Sequence, residues 1–330
     1  MKILRNLVLV AASFMAVSLS AQTIQEDISY LASDELEGRE FGTAGEVKAS
    51  EYVAKRFKSI GLAPMGEKGY YQSVSVKPRY NHHARVQMDT SKAIDGNNVV
   101  GMLDNKAATT IIIGAHFDHL GYGSEGSLFE SEEPAIHNGA DDNASGVAMM
   151  LQLAQWIQGK YTNNNYLFIA FSGEEKGLWG SNFYAKNPTI DLSTVNYMIN
   201  MDMVGRLDEE NTLAVYGTGT SPAWMPMLEE LAEQEGIKLI SKPGGIGPSD
   251  HTSFYLQNLP VLHFFTGQHE DYHKPTDDAD KINYQGMVKV QTYIEGVIGH
   301  MDDKGKIEFT KTKDEDARQN PSFKVTLGVI

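Results

Sequence analysis

The chain has 330 residues, with 43 acidic against 28 basic side chains and a formal charge of −15. Acidity of that size disfavours nucleic acid and anionic membrane surfaces as partners. Cysteine is absent, which excludes a disulfide framework, thiolate metal ligands and a lipid-anchoring cysteine.

Residues 1–21, MKILRNLVLVAASFMAVSLSA, join Lys2 and Arg5 to a short apolar stretch and end on small residues at Ser20 and Ala21. That order predicts a cleavable secretory signal peptide. A membrane anchor is the alternative, but the stretch is short for one and the mean hydropathy is −0.33, so no stable membrane insertion is expected after cleavage. The sole Asn-x-Ser/Thr sequon, Asn143-Ala144-Ser145, falls among candidate metal ligands, where a glycan would obstruct them. The expected location is therefore the periplasm or exterior of a bacterial cell.

A helix is predicted over 44–60, carrying Val47, Tyr52, Val53 and Phe57 and stopped by Gly61. Strands are predicted at 98–103, 109–115, 166–171, 197–203, 212–216 and 261–265, and further helices at 146–158, 223–235 and 284–301. This alternation, in a chain with 41% apolar residues, predicts one α/β domain over 22–301. Its central β-sheet should be mixed, mostly parallel, and flanked by helices on both faces. The loop 121–139, with Glu125, Glu130, Glu132 and Glu133, is expected as a solvated excursion rather than a pocket lid. Residues 302–330 are expected as a charged linker followed by a C-terminal strand, KVTLGVI.

Chemistry concentrates in five short runs: His116 in GAHFDHLG, Asp141 and Asp142 in GADDNASG, Glu174 and Glu175 in SGEEKGLWGS, Asp202 in NMDMVGR, and His273 in YHKPTDD. Imidazole and carboxylate together suit zinc or a similar borderline ion. Most of the runs adjoin an apolar stretch that reads as a buried strand, and open α/β sheets place their sites at strand ends. An adjacent pair such as Glu174 and Glu175 is ordinarily solvated surface. Following YLFIAF and preceding glycine and Leu-Trp, this pair instead suits a turn that turns one carboxylate to a metal and the other to substrate. Asp141 is the better candidate for a helix cap and Asp142 for a ligand. Among the remaining histidines, His82, His83, His263 and His300 read as structural or surface residues, whereas for His119, His137, His251 and His269 a structural role competes with contact to substrate or to the metal ligands.

In this order the five runs resemble the signature of the co-catalytic di-zinc aminopeptidases, a family that also contains glutaminyl cyclases, glutamate carboxypeptidases and metal-free receptor ectodomains. The resemblance spans about 28–301 and implies a zinc-peptidase fold with two Zn2+ ions. His116 and Asp202 would hold one ion, Glu175 and His273 the other, and Asp142 would bridge them. It further implies that Glu174 is the general base, that Asp118 orients the His116 imidazole, and that Asp250 and His251 border the substrate pocket. Only about 30 residues stand where many relatives insert a protease-associated domain, so that domain is expected to be missing. KVTLGVI is similar to the first strand of a PDZ-type module that some relatives append, and an added edge strand is the competing reading. The expected activity is an exported zinc aminopeptidase acting on peptides with a free N-terminus. A mono-zinc glutaminyl cyclase and a non-catalytic binding protein on a peptidase scaffold are the alternatives.

Overall fold

Runs of seven buried residues build the middle of the sheet: β4 (Thr110–His116), β5 (Asn165–Phe171) and β6 (Val195–Met201) are buried throughout. Strands buried on both faces are what a parallel arrangement under two helical layers requires. In the computed structural model, which describes residues 24–78, 89–131 and 133–313, β4 pairs in parallel with both β5 and β6. β9 (Val261–Phe265) adds in parallel to β6. The segment 1–21, His82, His83, Glu132 and KVTLGVI lie outside the described residues.

Antiparallel strands flank this parallel core. β3 (Ile94–Leu103) lies against β5 and carries β2 (Tyr71–Val76) and β1 (Ala63–Pro64). At the other side β7 (Thr212–Tyr216) runs antiparallel to β9 and pairs in parallel with β8 (Lys238–Lys242). The sheet is thus mixed, in the order β1-β3-β5-β4-β6-β9-β7-β8, with β2 beside β3.

Alternate residues of the central strands face two separate apolar layers. Ile111, Ile113, Ala115, Phe168 and Ile199 join α1 (24–31), α2 (Ala44–Ile60), α3 (Gly146–Ile157), α5 (Trp224–Glu235) and α7 (Tyr284–Met301). Ile112, Leu167, Ile169 and Met198 face Tyr184 of α4 (Trp179–Lys186) and Phe254 of α6 (His251–Tyr255). α2 begins where Thr43 accepts the Glu46 N–H and ends at Gly61, whose φ of 91° lets its N–H close onto the Phe57 and Lys58 carbonyls.

The sequence-based expectation missed β2, β8, α4 and α6. β8 lies at the sheet edge and is only five residues long, exposing Lys238, Ile240 and Lys242, and α6 is also only five residues long; neither offers a long periodic pattern. The strand expected to reach 203 ends at Met201, because the chain turns out of the sheet at Asp202 and Met203 takes a φ of 54°. Residues 302–313, expected as part of a linker, are docked. The Asn196 amide bonds Gly305 and Ile307, Thr310 N–H donates to the Thr220 carbonyl, and Thr312 bonds the Tyr255 hydroxyl. Among the described residues no helix is long and apolar enough to cross a membrane.

One buried acid gives the fold a pH dependence. Glu46 Oε1 accepts from the Asn97 N–H and the Ser172 hydroxyl, each at 2.9 Å, while its Oε2 is buried without a partner. Burial, with a smaller push from Asp118, raises its pKa from 4.5 to about 7. The folded state then holds this proton more tightly than the unfolded one, so its contribution is present below pH 4.5 and lost as pH rises to about 7. Glu46→Gln is expected to be more stable than the parent at pH 8 by on the order of 1–3 kcal/mol, and close to it at pH 5. Urea melts at both pH values check this; parallel shifts of parent and variant would refute it.

Candidate active site

The ends of the four parallel strands bring the five runs together. His116 is the last residue of β4, Asp202 follows β6 directly, and Glu174 and Glu175 stand on the turn after β5. Asp142 lies in the turn Ala140–Ser145 that leads into α3. His273 follows β9 in a turn that holds it at a φ of 55°, an unusual conformation for a residue with a side chain. Gly139 opens the Asp142 turn at a φ of 56°, and a Cβ there would lie 2.1 Å from the Asp142 carbonyl oxygen and 2.5 Å from the His119 ring. The turn closes only on glycine.

Asp142 stands between two half-sites. Its Oδ1 is 3.4 Å from His116 Nε2, which is 3.3 Å from Asp202 Oδ1; its Oδ2 is 3.3 Å from His273 Nε2, which is 3.3 Å from Glu175 Oε2. Among the described residues, His116, Asp142 and Asp202 form one group able to hold a metal, and His119, Asp142 and Glu175 another, with ligand atoms within 4.8 Å of one another. His116 Nε2 is buried with no hydrogen-bond partner. An unpaired ring nitrogen facing two carboxylates fits a cation, since buried polar atoms otherwise find partners.

Hydrogen bonds on the far ring nitrogens set the tautomers. His116 Nδ1 donates to the Asp118 carbonyl at 3.2 Å and His273 Nδ1 to the Gly126 carbonyl at 2.9 Å, which leaves each Nε2 lone pair for ligation. The Asp118 carboxylate, expected to orient His116, is 3.7 Å from that ring. It accepts instead the N–H groups of Glu174 at 3.1 Å and Glu175 at 3.4 Å. Asp118 thus sets the backbone of the glutamate pair, while its main chain sets the histidine.

The two glutamates are electrostatically distinct. Burial lifts Glu174 well above the usual carboxylate range; His116 opposes this, and Glu175, Asp202 and Asp250 add to it. Burial acts the same way on Glu175, but His273 and His119 prevail and hold it well below that range. His273 shows the reverse balance, as Glu175 and Asp142 overcome its burial and raise it to about 11. The site packs four carboxylates around imidazoles and stabilises positive charge between them.

Two participants, His119 and Asp277, were not assigned roles from sequence, and the role expected of Asp141 is corrected by the structure. His119 Nδ1 lies 2.8 Å from Glu175 Oε1; from sequence it was left open between a structural role and contact with the site, and its partner was not visible. Asp277 accepts the N–H groups of Asp141 and Asp142 at 3.0 Å, joining the His273 loop to the Asp142 turn; its only signal was membership of YHKPTDD. Asp141 is no helix cap, since its carboxylate takes the Gly205 N–H and meets His269 at 3.2 Å. Asp250 and His251, expected at a substrate pocket, are both fully buried. His251 stacks on His263 with ring centres 4.6 Å apart, and burial raises Asp250 to about 7 against the pull of His116.

Residues 98–298, which include all five runs, match the model of peptidase family M28. The chain belongs to that family. This M28 chain is 31% identical over 160 residues to aminopeptidase YwaD of Bacillus subtilis, a match covering 45% of the chain and 34% of that relative. It is 26% identical over 234 residues to the uncharacterized protein YfbL of Escherichia coli, covering 61% of the chain and 69% of the relative. A probable leucine aminopeptidase of Trichophyton verrucosum is 23% identical across 87% of the chain and 73% of its own length. The fold is similar to that of the Bacillus subtilis zinc aminopeptidase BSAP, with a TM-score of 0.66 and 18% identity over 90% of the chain and 97% of BSAP. It is equally similar to a Bacteroides thetaiotaomicron glutaminyl cyclase bound to N-acetylhistamine, with a TM-score of 0.67 and 18% identity over 84% and 97% of the two chains. The fold of this M28 chain is thus similar to that of zinc peptidases, the fold its five runs implied.

Proposed function

We propose that this M28 peptidase is an exported aminopeptidase that works with two zinc ions. One observation carries the reading: the two oxygens of Asp142 face different histidines, each paired with its own second carboxylate. His116 and Asp202 would hold one ion, Glu175 and His273 the other, with Asp142 shared. When bound, the zinc pair polarises the scissile carbonyl and acidifies the attacking water. Glu174 accepts the proton of that water and passes it to the leaving amine; its raised affinity for a proton suits a group that must take one and give it back. Asp118 holds the glutamate turn so that Glu174 and Glu175 diverge. Export rests on the signal-like residues 1–21.

The substrate's free amine would be met by the carboxylates of the site, a choice supported by the aminopeptidase relatives. The expected result is hydrolysis of peptides from the N-terminus, lost when the same peptide is N-acetylated. Mass spectrometry of both peptides after incubation with zinc-loaded enzyme measures it. Equal cutting of the acetylated form would reject the exopeptidase assignment. Cyclisation of N-terminal glutamine without peptide hydrolysis would favour the second reading, a glutaminyl cyclase, which the similarity of fold supports. The unbroken GEEKGLWGS run and the intact five-ligand set speak for the peptidase.

A further inference from the structure

Glu175 and His273, the two ligands belonging only to the second half-site, are both braced by the chain that follows β4. The His119 Nδ1–H donates to Glu175 Oε1 at 2.8 Å, leaving Oε2 to face His273 at 3.3 Å. The Gly126 carbonyl takes the His273 Nδ1–H at 2.9 Å, and the Leu128 N–H donates to the His273 carbonyl at 3.0 Å, so the ring and its backbone are held together. Beside Glu175, Lys176 has a side chain only 2% exposed and pairs with Glu40 at 2.9 Å and Glu125 at 3.2 Å. That ion triplet, buried at its lysine, ties the same segment to the glutamate turn. His116, by contrast, is held locally by the carbonyl two residues away.

We infer that residues 119–128 form a clamp on the Glu175/His273 half-site, with His119 and Lys176 as positioning residues that set how tightly this half retains its ion. The inference rests on the two-metal reading. Its physical basis is preorganisation: a carboxylate held through one oxygen presents the other without losing further rotamer freedom, and outer partners of metal ligands are commonly worth about 10–100-fold in affinity. Glu125 then has a role that a solvated loop does not provide. A buried Lys176 is retained because both acids compensate its charge, and removing it would leave them repelling each other beside the glutamate turn.

The test is zinc release from the full-length, zinc-loaded protein into a chromophoric chelator. The parent is expected to release two equivalents in two phases. His119→Ala should speed one phase by about 10–100-fold and leave the other unchanged. His119→Asn, whose amide can donate from nearly the place of Nδ1, should restore slow release, and Lys176→Met should speed the same phase as His119→Ala. Release by His119→Ala at the parent's rates, or equal acceleration of both phases, would overturn the clamp. Failure of His119→Asn to restore retention would replace positioning with direct ligation by His119. Should the alanine variant not fold, Lys176→Met and the ring protons of the parent decide. Nitrogen-correlated NMR should find protonated Nδ1 on both His119 and His273, and absence of the His119 proton overturns the inference. A parent that binds a single equivalent overturns the two-metal reading itself, before any variant is compared.

Discussion

Glu174→Gln is expected to keep the fold and both zinc ions while kcat falls by about 10²–10⁴-fold, the usual worth of a general base. The isosteric amide preserves the turn, because Asp118 holds it through the Glu174 and Glu175 N–H groups rather than through either side chain. It cannot accept the proton that burial and the neighbouring acids press onto Glu174. Glu175→Gln should behave differently and lose metal together with activity, since its Oε2 faces His273 and its Oε1 is fixed by His119. Metal content and kcat, measured on both variants, separate base from ligand. Zinc lost from Glu174→Gln and kept by Glu175→Gln would reverse the two assignments.

Asp142→Asn should have the largest effect on metal content, weakening both ions together, whereas His116→Ala should chiefly weaken one. The reason is geometric: among the described residues, Asp142 is the side chain that turns one oxygen toward His116 and the other toward His273, at 3.4 Å and 3.3 Å. Its backbone N–H is held at 3.0 Å by Asp277, so the side-chain change leaves the turn in place. An amide supplies only one oxygen to two ions and removes the charge that draws them together. Elemental analysis after dialysis gives the stoichiometries. Full occupancy in Asp142→Asn would sink the bridging assignment, and equal depletion of both ions in His116→Ala would show that the half-sites are not separable.

Much of the fold was legible because its signals are local. The helices at Ala44–Ile60 and Tyr284–Met301 and the strands at Thr212–Tyr216 and Val261–Phe265 appear at the predicted bounds. Apolar runs bounded by turns and 3.6-residue periodicity with a glycine stop are properties of a short window. β2, β8, α4 and α6 were not legible, being short or at an edge and stabilised by what they pack on.

For the site, the sequence by itself determined the residue types, their order, and their place at the ends of buried strands, because ligand chemistry restricts the choice to imidazole and carboxylate. Only the tertiary structure decided who faces whom. Sheet order sets β5, β4, β6 and β9 side by side, and that neighbourhood puts His119 on Glu175, Asp277 beneath the Asp142 turn, and the Asp118 carboxylate on the glutamate backbone rather than on His116. It also turned Glu125 from an apparent surface charge into the partner of a buried lysine. Such contacts join residues 51 to 147 positions apart, and hydrogen-bond direction and burial at that separation come from packing, on which no local pattern reports.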